Sequence, residues 1–108
     1  MNQSLIHNFK IWISETEPET LKWQLTPLLI KSDYEILNFV EYYFKPFGYT
    51  CLWLLVDSHL AVHTFPEYNC TYIELSGCSY QKSKNFISFF NVEFEGKFTE
   101  NRHLQQSL

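Results

Sequence analysis

Three observations predict an α+β two-layer sandwich, with helices packed on one face of a largely antiparallel sheet. About six short segments are rich in β-branched and aromatic residues, and turn residues separate them. Only two stretches carry helical spacing. The chain of 108 residues is long enough for one domain with a real core, and it shows no repeat, low-complexity tract or Gly/Ser linker. The face of the sheet away from the helices is then free for function or for a partner.

The first segment, "LIHNFKIWI" from Leu5 to Ile13, reads as a strand. "SETEPETLKWQLTPLLIKSD" follows as a helix, with Ser14 or Thr16 as cap, Pro18 in its first turn and Leu21, Leu25, Leu28 and Leu29 at helical spacing. Pro27 is expected to kink or end it. "YEILNFVEYYF" (Tyr34 to Phe44) suits a strand that ends at the turn signals Pro46 and Gly48. "YTCLWLLV" (Tyr49 to Val56) is apolar almost throughout, as expected of a strand buried on both faces. "HLAVHTF" and "CTYIELS" are strands joined by "PEYN". "SYQKSKNFISFFN" suits a second helix, "VEFEGKF" a last strand, and "TENRHLQQSL" a frayed tail.

Composition narrows the function. Aromatic content of 19% excludes a disordered chain. A net charge of -4 with eight scattered Lys and Arg gives no footprint for a nucleic-acid backbone, so no nucleic-acid partner is expected. No apolar run is long enough for a membrane span, and "MNQSLIHNFK" lacks the regions of a signal peptide, so a cytoplasmic protein without a membrane partner is expected. Cys51, Cys70 and Cys78 are an odd number without a CxxC pair, which points to free thiols. His59, His63, Cys70 and Cys78 match no standard zinc spacing, and no metal is expected.

The stretch from Val56 to Cys78 holds the candidate chemistry. Ser58 stands where a very apolar strand breaks into a turn, between Asp57 and His59; His63 follows five residues on and Cys78 twenty. If the flanking strands pair antiparallel, the three can converge. A histidine acts as a base near neutral pH, and a thiol carries a proton or attacks. Each taken alone is more often a turn serine, a hydrogen-bonded histidine or a small buried thiol.

The stretch resembles the self-processing segment of the short prokaryotic S-adenosylmethionine decarboxylases, pyruvoyl enzymes of polyamine synthesis. Their pattern of an acidic residue, Ser-His, "HTWPE" and a cysteine stands here as Asp57, Ser58, His59, "HTFPE" from His63 to Glu67, and Cys78. "FKPFGYT" from Phe44 to Thr50 resembles the Phe-x-Pro-x-Gly segment upstream. The resemblance implies cleavage between Asp57 and Ser58 into chains 1–57 and 58–108, with Ser58 becoming a pyruvoyl cofactor that forms a Schiff base with the substrate. It implies that His63 removes the Ser58 Cα proton, that Thr50 supports processing, and that Cys78 reprotonates the product. Phe44 would stack on adenine, Glu67 would hold the ribose, and the processed chains would form a homodimer. This sequence departs in having Asp57 for glutamate, Thr50 for serine, Asn69 for a glycine, "SGCS" for Thr-Cys-Gly, and a shorter region after Cys78. Two other readings stay open: a pyruvoyl decarboxylase of the same fold acting on arginine or ornithine, and an unprocessed paralogue that binds a partner.

Overall fold

Alternation of apolar and polar residues produces the strands, and a four-residue repeat of leucine or phenylalanine produces the helices. The computed structural model describes residues 5–100. In chain order they form β1 (His7–Ile13), α1 (Pro18–Lys31), β2 (Ile36–Tyr43), β3 (Tyr49–Leu55), β4 (Ser58–Phe65), a short 3-10 turn (Pro66–Tyr68), β5 (Cys70–Gly77) and α2 (Tyr80–Glu93). The strands make one five-stranded sheet in the order β1-β5-β4-β3-β2, with every neighbouring pair antiparallel. The predicted α+β class and antiparallel sheet with helices on one face are what the chain adopts.

Both helices lie on one face. Leu21, Leu25, Leu28 and Leu29 of α1, and Phe86 and Phe90 of α2, are buried against Tyr49, Trp53, Leu55, Leu60, Val62, Ile73 and Leu75 of the sheet. Burial of each large side chain stabilises by roughly 1.5–3 kcal/mol. A polar tie joins α1 to the edge strand β2: Lys22 Nζ lies 2.8 Å from Glu19 and 3.0 Å from Glu41, and the buried Tyr49 hydroxyl donates to the same Glu41 carboxylate.

The structure corrects four expectations. Helix α1 is capped by Glu17, whose carboxylate accepts from the Thr20 amide, and not by Ser14 or Thr16. It continues past Pro27 to Lys31 and does not end there; the exposed Pro27 stands one turn beyond the exposed Trp23, so the amide bond it forgoes is on the solvent side. "VEFEGKF" is not a strand. Phe94 continues the four-residue stripe of Phe86 and Phe90 into the core, so the helical period prevails, and only Phe98 bridges to Ile13. The sheet therefore has five strands. Finally, β3 is buried on one face only: Tyr49, Cys51, Trp53 and Leu55 point to the helices, while Leu52 and Leu54 point away. Its apolar outer face is thus left uncovered. The expected frayed tail lies, from residue 101 on, outside the described residues.

Candidate active site

The candidate residues fall into two groups at opposite ends of β4. Ser58 opens the strand, directly after the two-residue turn Val56-Asp57 that joins it to β3, with Leu55 opposite Ser58 in register. Asp57 takes φ 57°, a left-handed conformation that aspartate tolerates better than most residues because its short side chain bonds locally. On the other side Ser58 pairs with Gly77 of β5, and the exposed Cys78 follows at once. Asp57, Ser58 and Cys78 therefore meet at one corner of the sheet.

Gly77 is glycine for a steric reason. A Cβ there would lie 2.1 Å from Ser58 Oγ and 2.7 Å from Ser58 Cβ, so the serine side chain occupies the space over it. Gly77→Ala is expected to lower stability by about 1–3 kcal/mol in urea unfolding, the usual range for overpacking. The cost should shrink in a Ser58→Gly background; equal costs in both backgrounds would contradict the contact.

The second group gathers around His63. Thr50 of β3 stands opposite it in register, and Thr50 Oγ1 lies 2.9 Å from His63 Nδ1. Both residues line a cleft of about 320 Å³ together with Phe44, Phe47, Phe65 and Glu67. A cis Lys45–Pro46 bond and Gly48, at φ 109°, turn the chain between β2 and β3 and set Phe44 and Phe47 at the rim. The 3-10 turn after β4 brings Glu67 to the same cleft, and Asn69 closes that turn in the left-handed conformation, where the resembling family carries glycine. Burial holds His63 below the ordinary histidine pKa, partly offset by the charge of Glu74. The imidazole is thus mostly neutral at pH 7, and with Nδ1 on Thr50 the Nε2 nitrogen is left for proton transfer.

Ser58 and His63 do not converge within one chain, contrary to the sequence expectation. Five residues of extended strand separate them by about 16 Å, and an odd separation puts their side chains on opposite faces. Pairing β4 with its neighbours cannot change that, because both residues are on the same strand. Among the other candidates, Cys51 is buried and its thiol is pushed up to about 12 by burial, and Cys70 is buried as well. His59 lies on the open face opposite Ser76. No cluster of three or more potential metal ligands occurs among the described residues.

Two features went unread in the sequence. Gly77 carried a usable signal, since a glycine at the end of a strand pattern marks a close approach of neighbouring atoms. Tyr72, whose ring lies parallel to that of His63, becomes legible only once the β4–β5 register is known.

Comparison with known proteins gives the family and the fold. The sequence model of the family described as S-adenosylmethionine decarboxylase matches residues 15–107. An S-adenosylmethionine decarboxylase proenzyme 2 from Bacillus cereus is 38% identical over 58 residues, 54% of this chain and 47% of that one. An S-adenosylmethionine decarboxylase proenzyme from Prochlorococcus marinus is 33% identical over 61 residues, 56% of this chain and 49% of its own. The chain thus spans about half the length of the curated relatives it matches. The crystal structure of the adenosylmethionine decarboxylase from Aquifex aeolicus VF5 superposes with a TM-score of 0.68 at 18% identity, covering 82% of this chain and 78% of that one, a likeness of fold. With the family match extending over most of its length, the chain belongs to the S-adenosylmethionine decarboxylase family.

Proposed function

We propose that the chain is a proenzyme that cuts itself between Asp57 and Ser58 and then, as a pair of copies, decarboxylates S-adenosylmethionine for polyamine synthesis. The observation that carries this reading is the split of the candidate residues into two half-sites, Ser58 with Cys78 at one end of β4 and Thr50 with His63 and Glu67 at the other. A second copy laid face to face, about a twofold axis between the sheets and across the strands, sets the Ser58 end of each chain over the His63 end of the other. The uncovered face suits such a partner: Val40, Leu52, Leu54 and Ala61 form its apolar middle, and Val40 and Leu54 are 57% and 44% exposed. Two sheets packed this way stand about 10 Å apart; the Ser58 side chain lies on the helix side of β4, so it is the Ser58 backbone that is presented to the facing His63.

In self-cleavage, Ser58 Oγ attacks the Asp57 carbonyl carbon; its C–N bond breaks as the ester forms, and the freed amine takes the hydroxyl proton. His63 of the facing copy then takes the Ser58 Cα proton at Nε2, the Cβ–Oγ bond breaks, and Asp57 leaves as a carboxylate. Water replaces the nitrogen of the resulting dehydroalanine, which departs as ammonia, and a ketone remains. Ser58 fits this fate because it opens β4, whose pairing with β3 and β5 retains the new chain end. The pyruvoyl group so made supplies the electron sink for loss of carbon dioxide. Phe44 offers an aromatic face and Glu67 a bidentate acceptor in one cleft, which suits adenine and ribose better than a free arginine or ornithine. Cys78, exposed beside Ser58, returns a proton to the substrate carbon on this reading.

The test is the intact mass of the denatured protein with an assay of carbon dioxide release. The expected result is two chains, 1–57 and 58–108, the second lighter by one ammonia than hydrolysis leaves, and release from S-adenosylmethionine alone. An uncut, inactive chain would favour the unprocessed paralogue, and release from ornithine or arginine alone would favour the amino-acid decarboxylase.

A further inference from the structure

One row of side chains crosses the open face in register. Trp12 of β1 stands opposite Tyr72 of β5, Tyr72 opposite His63 of β4, His63 opposite Thr50 of β3, and Thr50 opposite Tyr42 of β2. Within it the rings of His63 and Tyr72 are 6.5 Å apart and nearly parallel, at 16°. Tyr72 is itself fixed at two points. Its hydroxyl donates to Glu74 Oε1 at 3.0 Å, and its ring meets the Trp12 indole at 5.0 Å between centroids, while Trp12 also packs on Phe65 at 6.0 Å. The imidazole therefore stands in the row between a braced aromatic plane and the Thr50 hydroxyl, 2.9 Å from Nδ1.

We propose that Tyr72, held by Glu74 and Trp12, is a positioning residue that keeps the His63 imidazole on Thr50 with Nε2 facing outward. A histidine between two neighbours of this kind has one ring orientation, and proton transfer depends steeply on orientation. The role of Tyr72 is to act through His63, and it deepens the self-cleavage reading, on which it rests for its consequence. The titratable and charged groups on the elements around the imidazole are Tyr72 and Glu74 on β5, Glu67 in the 3-10 turn, Lys10 on β1, opposite Glu74 in register, and Tyr42 on β2. Of these, Glu74 favours the protonated ring, whereas burial opposes it.

The experiment follows the titration of the His63 imidazole by NMR in the full chain carrying Ser58→Ala, with Tyr72 intact, Tyr72→Phe or Tyr72→Leu. The same Tyr72 variants with Ser58 present give the rate of self-cleavage against pH. Tyr72→Leu opens the ring to water and should move the His63 midpoint upward and slow cleavage about tenfold, with the cleavage profile displaced in the same direction. Tyr72→Phe keeps the plane and should cut within about threefold of the parent rate. Should Tyr72→Leu not fold, Tyr72→Thr removes the plane with a strand-favouring residue. An unchanged midpoint and rate in Tyr72→Leu overturns the proposal. A displaced midpoint in a protein that never cuts upholds the brace and overturns the self-cleavage reading instead.

Discussion

Ser58→Ala is expected to remain one uncut chain of about 13 kDa under conditions in which the parent is expected to divide after Asp57. The expectation follows from the covalent step alone. An alanine has no oxygen to receive the acyl group of Asp57 and no leaving group at Cβ, so both the shift to an ester and the elimination lose their reacting atom. The fold should be unaffected, because Ser58 is only part-buried, its hydroxyl rests over Gly77, and alanine removes one atom without adding any. Circular dichroism and thermal unfolding like those of the parent, beside a total loss of cleavage, would locate the effect in the chemistry. Cleavage of the alanine variant at the same bond would mean that hydrolysis by another route, and not the serine, divides the chain.

Most of the fold was legible because the sequence patterns are strong. Strand β5, "CTYIELS", places Thr71, Ile73 and Leu75 toward the helices and Tyr72 and Glu74 away from them, as its alternation states. The leucines of α1 likewise mark its buried face. What failed was arbitration between competing signals. Val92, Phe94 and Phe98 have strand-forming side chains, yet Phe86, Phe90 and Phe94 repeat every four residues and extend the buried stripe of α2 past its end. Pro27 looked like a break, but a missing amide on the solvent side of a helix removes a bond whose acceptor water can satisfy. The unbroken apolar run of β3 was read as burial on both faces. It instead marks a strand with one face in the core and the other uncovered.

The candidate site was legible in its members and not in their arrangement. Phe44, Thr50, His63 and Glu67 share one cleft, although the β2–β3 turn, β3, β4 and the 3-10 turn each contribute to it from different parts of the sequence. Ser58, Asp57 and Cys78 share the opposite corner. That His63 lies far from Ser58 could have been read from the spacing, since five residues on a straight strand span about 16 Å whatever the strand pairs with. The roles of Gly77 and Tyr72 depend on register across β4 and β5, which no local pattern specifies.

The division of the site between two copies is the central claim, and mixing two inactive variants tests it. In Ser58→Ala the His63 half-site is intact, and in His63→Ala the Ser58 half-site is intact. Ser58→Ala alone should stay uncut, and His63→Ala alone should cut at least a hundredfold more slowly than the parent, the usual scale for loss of a general base. After the two are unfolded together and refolded, mixed pairs have one complete site, in which Ser58 of the His63→Ala chain faces His63 of the Ser58→Ala chain. The measurement is the intact mass of the mixture, with the His63→Ala chain marked by an isotope label. The account predicts that the labelled chain, and only that chain, splits into 1–57 and 58–108, up to the fraction of mixed pairs formed. Both variants uncut at every mixing ratio, while size measurements show mixed pairs present, would contradict it.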